Sequence, residues 1–435
     1  MEVNLNIDEL MENKDDYGGL WHQDVVYRDY KAISKSTLRQ LGIKDQSVVM
    51  VDNLEDLKKT PPNIIIAEAR KNIKFVQNYV RQQELKKRQK YVMGLGVFQQ
   101  LQFFQSEKSK LLKPASLQFK KFYKPYRGQD LSGKTLLVFR TGGIGDLLFI
   151  QPNLRYLKKK YPDCTIWFAC GPQYQAMVEA WVGDCVDEIL DLPYPIKYLT
   201  NSDYHAMFEG VIERCKQAHT DNAYNLFTHW LGLDLPDELL VPIQKAKPDK
   251  VKEVKEILDK WGVDKFFVMQ LRASSPVRTP RPEFWANLIT ECVKRGHTVV
   301  LTDAARQSEN IEIFRDTLDE DVKKKVFNFS DHSKTLDYTI ALTQLSSLVV
   351  ATDSALNHIA ASLDVPCYGI YGPFPGYIRL KTYPKGEWVD AKRECVPCFL
   401  HGHKPCPHAD SKGYSPCYDN INIKESVDQM EKLLS

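Results

Sequence analysis

The sequence predicts an α/β protein built on parallel sheets. Three observations carry this: apolar runs of strand length recur between residues 136 and 371, amphipathic helical stretches separate them, and several runs end in Gly, Ser or Pro turns that lead into a helix. Strands joined through helices run parallel, because the connection must cross the sheet before the next strand begins.

At 435 residues the chain exceeds one compact core and predicts two or three domains. Its 43% hydrophobic and 26% charged residues are ordinary for a water-exposed protein, and no apolar run approaches the ~20 residues that cross a bilayer. The start, MEVNLNIDELMENKDD, lacks the basic head and apolar centre of a secretory signal. A cytoplasmic location is therefore expected, with most of the ten cysteines as reduced thiols.

Taken in order, residues 1–45 show no strong period and predict short helices and loops. Segments 47–51 (SVVMV) and 63–67 (NIIIA) read as strands. From 68 to 105, Ile73, Val76, Tyr79, Val80, Tyr91, Val97, Leu101 and Phe104 approximate helical spacing, with a break at Gly94 and Gly96. Residues 113–133 read as a linker. Further on, strands are expected at 136–139, 165–169, 266–271, 298–301, 347–351 and 367–371, and helices at 150–160, 281–295, 336–345 and 357–363. The expected division is an extension at 1–130, α/β blocks at 134–245 and 265–423, a charged linker at 246–264, and a closing helix at 424–435.

The net charge of +3 conceals an asymmetry: fifteen Lys and Arg face two Glu between residues 70 and 127, leaving the rest of the chain negative. Such a patch is either a solvated helical face or a magnet for phosphate-bearing partners, an anionic membrane surface included. It suits acceptor binding or self-association into an oligomer. Aromatics interleave with the charges, but no recognisable single-strand or zinc-finger motif is present, so nucleic acid is disfavoured.

Chemistry concentrates at strand ends. In RTGGIGDLLF (140–149) the glycines Gly142, Gly143 and Gly145 close a strand and open a helix, placing backbone N–H groups and a positive helix end at a sheet edge. The third glycine of a dinucleotide fingerprint is missing, which disfavours a nicotinamide cofactor. Asp146, at the helix start, is either a dipole partner or a base able to take a proton from a bound hydroxyl. In VVATDSALNHIAA (349–361) the turn Asp353, Ser354, Ala355 precedes a helix carrying His358. Its N–H groups, the Ser354 hydroxyl and His358 suit a diphosphate, while Asp353 and Ser354 also suit plain helix capping. A third strand ends in the loop from Gly372 to Gly376. Ligands of open α/β sheets bind outside such carboxyl ends, so the three loops are expected to serve one site.

These stretches resemble glycosyltransferase family 9, the ADP-heptose:lipopolysaccharide heptosyltransferases. RTGGIGDLLFIQPNLRYLKKKYPDCTI is similar to the family's opening turn and helix, ATDSALNHIAASLDVPCYGIYGP to its donor signature, and the CVPC segment to its C-terminal Cys motif. The resemblance covers residues 134–435. It implies a GT-B architecture, two Rossmann-like parallel-sheet domains facing a cleft, and inverting transfer of a heptose-like sugar from a nucleotide-diphosphate donor to a glycan or protein hydroxyl. By position Asp146 matches the family's general base, and Asp353, Ser354, Ala355 and His358 match its donor turn. Where relatives show a Lys before a Trp-Pro pair, this chain has QLRASSPVRTPR (270–281), so Arg272, Ser274, Arg278 and Arg281 are the expected donor contacts, with Gly372. No catalytic metal is required if backbone dipoles and cations stabilise the departing diphosphate.

Cys395, Cys398, Cys406 and Cys417, with His401, His403 and His408 among them, form a dense set of soft ligands. The set suits a structural zinc, with free thiols or disulfides as the alternatives. The resemblance adds iron, which related autotransporter heptosyltransferases hold with a comparable cysteine set. Two functional readings are open: an enzyme using Asp146, or a non-catalytic protein of the same fold that binds a sugar nucleotide or glycan and docks on an anionic surface through residues 70–127.

Overall fold

The structure, a computed structural model, describes residues 91–92, 124–140, 143–183, 185–191, 194–195, 198, 201–208, 211–400 and 406–435. The strands expected at 47–51 and 63–67 and almost all of the basic arm lie outside these residues. The chain divides into two compact units: residues 1–141, 161–172 and 186–209 form one, and residues 142–160, 173–185 and 210–435 the other.

In the first unit, β1 (Tyr91–Val92), β2 (Thr135–Phe139), β3 (Thr165–Cys170), β4 (Glu188–Asp191), β5 (Tyr194–Pro195) and β6 (Tyr204–Met207) are the strands. A parallel sheet runs β4-β3-β2-β6, with Leu136 paired to Ile166 on one side and Tyr204 on the other. The run Leu136, Leu137, Val138, Phe139 is fully buried, as a central parallel strand requires. Tyr91, placed by spacing on a helix, instead begins β1, which pairs antiparallel with β5. The end of the stretch read as a linker is tied down as well. Tyr126 N donates to His205 O at 2.8 Å and is buried, while Lys124 N donates to His205 Nδ1 and Ser202 Oγ meets Nε2, each at 2.9 Å.

The second unit holds a six-stranded sheet of β7 (Phe267–Gln270), β8 (Val299–Leu301), β9 (Val326–Asn328), β10 (Leu348–Thr352), β11 (Cys367–Tyr371) and β12 (Gly386–Asp390). Its order is β12-β11-β10-β7-β8-β9, and every pair is parallel. The chain winds outward from β7 through β8 to β9, then returns to β10 and winds the other way. The β7/β10 boundary is thus the switch point of the sheet, where the Gln270 and Ala351 ends lie in register.

The helices of this unit include α1 (Ile144–Lys160), α2 (Gln175–Glu179), α3 (Ala223–Trp230), α4 (Pro248–Lys260), α5 (Pro282–Lys294), α6 (Ser308–Arg315), α7 (Leu336–Leu345), α8 (Ala355–Ser362), α9 (Tyr377–Leu380) and α10 (Ile423–Lys432). Helix α1 begins at Ile144, ahead of its apolar pattern at 150–160 and at the glycine turn where Asp146 was expected to start a helix, and it takes Gly145 and Asp146 into its first turn. Helix α4 occupies most of the stretch read as a linker. Pro at its first turn suits a helix start, and Val254 and Leu258, four residues apart, bury one face. No helix among the described residues is long and apolar enough to cross a membrane.

Candidate functional site

The site assembles where α1 meets α8. Gly143 adopts φ +86°, which a side-chain-bearing residue rarely takes, and its carbonyl accepts the first helical bond of α1 from Leu147 N at 3.0 Å. The Asp146 carboxylate lies against the open face of Gly143, in space a Cβ there would occupy. One residue earlier, Gly145 faces His358: a Cβ on Gly145 would lie 3.2 Å from His358 Cδ2 and 3.7 Å from Nε2. Glycine at 145 therefore lets α1 approach the imidazole closely. Phe149, one turn further along α1, packs edge-on against His358 at 4.8 Å, Tyr224 at 4.7 Å and Phe227 at 5.4 Å. The opening glycine motif and the His358 turn, over 200 residues apart in sequence, thus adjoin.

His358 is buried, and its Nδ1 lies 2.6 Å from the Tyr383 hydroxyl, which in turn lies 2.5 Å from the Tyr224 hydroxyl. Burial, reinforced by nearby Arg379 and opposed by Asp353, pushes the imidazole down to about 3, so it is neutral near pH 7. Burial holds both phenols well above their ordinary value, so both stay protonated.

Asp353 sits just past β10, buried, between Arg278 Nη1 at 3.1 Å and Arg379 Nε at 3.4 Å. Burial alone would raise its carboxyl, but the two guanidinium groups outweigh it and hold the group at about 2. Arg278 also donates to Asp353 O at 2.9 Å and to Ser274 Oγ at 2.7 Å. Each arginine keeps a buried donor with no acceptor among the described residues, Nε of Arg278 and Nη1 of Arg379. Ser354 is the N-cap of α8 by position, yet its side chain does not cap the helix. It donates across the switch point to Gln270 Oε1 at 2.9 Å. The first N–H groups of α8, beginning at Ala355, therefore have no side-chain cap.

The other expected contacts are dispersed. Arg272 donates to Gln307 Oε1 at 2.6 Å and lies 3.8 Å from Asp303. Arg281 pairs with Asp410 at 3.4 Å and Asp419 at 3.3 Å, which ties the start of α5 to the segment before α10. Gly372 packs against that segment: a Cβ there would lie 2.5 Å from Tyr418 Cζ and 2.8 Å from Cys417 Sγ. Gly142 lies outside the described residues. Tyr383, Tyr224 and Arg379 had no sequence signal, because each acts through a partner distant along the chain.

Three of the four cysteines, Cys398, Cys406 and Cys417, lie near one another. Ser415 Oγ lies 2.9 Å from Cys417 Sγ and 3.8 Å from Cys406 Sγ. Burial pushes the Cys417 thiol up to about 11, and nearby Cys398 and Cys406 add to the rise. Cys395 and Cys398 are exposed. Among the described residues no group of three or more His, Cys, Asp or Glu is placed to hold a metal ion, so the side chains as arranged do not fit the expected zinc or iron centre. His401 and His403 lie outside the described residues.

Residues 209–404 match the model of glycosyltransferase family 9 (heptosyltransferase). Comparison with the curated proteins gave no match. Among solved structures, the ADP-heptose lps heptosyltransferase II of E. coli is similar at TM-score 0.55 and 15% identity, over 69% of this chain and 98% of that one. A glycosyl transferase family 9 structure from Veillonella parvula is similar at 0.55 and 13%, over 70% and 98%. The dodecameric iron-containing heptosyltransferase TibC, from enterotoxigenic E. coli and in complex with ADP-D-beta-D-heptose, is similar at 0.50 and 12%, over 71% and 79%. The fold is the α/β, two-sheet fold of these GT-B heptosyltransferases.

Proposed function

We propose that this chain, a glycosyltransferase carrying a family 9 domain over residues 209–404, moves a heptose-like sugar from a nucleotide-diphosphate donor, ADP-heptose or a close analogue, to a hydroxyl of a glycan or protein. The observation that carries this reading is the adjacency of Gly145 and His358, which sets a carboxylate-bearing helix start beside the donor turn at the switch point of the sheet.

Asp146 acts as general base. The acceptor hydroxyl oxygen bonds to the anomeric carbon from the face opposite the diphosphate, its proton passes to Asp146, and the anomeric C–O bond breaks. The electron pair leaves with the nucleoside diphosphate, and the anomeric centre inverts. The uncapped N–H groups at the start of α8 and the spare donors of Arg278 and Arg379 suit the charge that develops on the leaving diphosphate. Asp353 fixes those two arginines rather than meeting phosphate itself. No step is routed through a metal.

The test is Asp146→Asn. It keeps the size of the side chain and removes its basicity, so transfer should fall by about 100-fold or more while ADP binding is retained. Unchanged transfer would remove Asp146 from this role. The non-catalytic alternative rests on residues 70–127 and gains no specific support from the described residues.

A further inference from the structure

We infer that Tyr383, backed by Tyr224, holds His358 as the tautomer protonated on Nε2, so that this N–H is left as a hydrogen-bond donor for a ligand phosphate. The inference rests on the sugar-nucleotide reading for the ligand, and on geometry alone for the tautomer.

Three hydrogens have to be placed along the chain Tyr224 OH, Tyr383 OH, His358 Nδ1, whose links are 2.5 and 2.6 Å. In one arrangement Nδ1–H donates to Tyr383, Tyr383 donates to Tyr224, and the Tyr224 proton needs a further acceptor. The hydrogen bonds of the described residues give that hydroxyl no partner but Tyr383, and Tyr224 is fully buried. A buried hydroxyl proton would then be left without an acceptor, which is costly. In the reverse arrangement Tyr224 donates to Tyr383, Tyr383 donates to a bare Nδ1, and both phenolic protons are satisfied. The imidazole proton then resides on Nε2.

The ring is also fixed in direction. Phe149 packs edge-on against it, and its Cδ2 and Nε2 edge lies beside Gly145, 3.2 and 3.7 Å from where a Cβ there would stand. Among the described residues nothing hydrogen-bonds Nε2, so its N–H remains for a ligand. Burial keeps the imidazole neutral, so the group donates as a fixed dipole that exchanges no proton near pH 7. Tyr383 and Tyr224 are positioning residues, acting through His358.

The full-length protein, labelled with 15N-histidine, tests this directly, with the His358 signals assigned from their loss in His358→Gln. At neutral pH the wild type should show a bare Nδ1 and a protonated Nε2. Tyr383→Phe should redistribute the proton between the two nitrogens. A protonated Nδ1 in the wild type overturns the inference without recourse to any variant, and so does an unchanged pattern in a folded Tyr383→Phe. Saturating ADP should shift Nε2 while leaving Nδ1 bare; ADP that binds by tryptophan fluorescence without moving Nε2 overturns the donor role. Failure of ADP to bind overturns the phosphate half of the inference together with the sugar-nucleotide reading, and the tautomer pattern still decides the other half.

Discussion

Gly145 faces His358 so closely that a methyl group on Gly145 would stand 3.2 Å from Cδ2 of the imidazole. The ring has little room to retreat, since Tyr383 holds Nδ1 and Phe149 packs on it. Gly145→Ala therefore sets two effects against each other. Alanine favours the helix by about 1 kcal/mol, and displacing His358 removes part of the donor site. Thermal stability should change by no more than a few degrees, while ADP affinity should fall by about tenfold, equivalent to roughly 1.4 kcal/mol. Unaltered ADP affinity by calorimetry would show that the Gly145 contact does not shape the site.

Much of this fold was legible where a local period and a clear boundary coincide. Strand β11 and helix α7 lie at their expected limits, because an apolar run meets a Gly/Pro loop in one case and a ten-residue stretch free of Gly and Pro ends at Ser346 and Ser347 in the other. Strands β4 and β9, of four and three residues, are too short to announce a period, and the half-exposed β12 carries charged residues. The start of α1 was marked by its glycine turn rather than by its apolar pattern, since Gly145, a poor helix former, sits in the first turn where it packs closely on His358. Helix α4 has so narrow an apolar stripe that its charges read as a linker. Of the site, the two loop motifs were legible and the Tyr224, Tyr383, His358 chain was not: it joins residues 159 and 25 positions apart, a relation only the folded core creates.

Acid should destabilise the protein before ordinary carboxylates titrate. The folded His358 takes up no proton until about pH 3, whereas the same imidazole in the unfolded chain does so below about 6.5. Between those values the unfolded state binds more protons, so stability falls as pH falls, at up to about 1.4 kcal/mol per pH unit from this group. Asp353 adds a second loss at lower pH, between its unfolded value near 3.8 and its folded value of about 2. Urea midpoints at pH 7 and pH 5 measure the first effect. His358→Gln should reduce the difference between them, and an unreduced difference would place the acid sensitivity elsewhere.

Cys395 is exposed. If the cysteines act as separate thiols, Cys395→Ser should leave stability within about 0.5 kcal/mol of the parent, and chelator treatment should leave the melting temperature unchanged. Stoichiometric zinc or iron in the purified protein, lost with a fall in melting temperature on Cys395→Ser, would restore the four-cysteine centre and show that Cys398, Cys406 and Cys417 rearrange around the ion.

Gly372, matched by sequence to the donor site, has a different consequence in the structure. A Cβ there would stand 2.5 Å from Tyr418 Cζ, 2.6 Å from its hydroxyl oxygen and 2.8 Å from Cys417 Sγ. Tyr418 is fully buried and Cys417 nearly so, and both belong to the core that includes Val427 and Met430 of α10, so neither can yield without moving the segment that leads into that helix. Gly372→Ala should therefore cost about 1 to 3 kcal/mol in overpacking. Measured by thermal unfolding, the loss should exceed that of Gly145→Ala, whereas ADP affinity at a temperature where the variant is folded should change less than in Gly145→Ala. The opposite ranking would return Gly372 to the donor site.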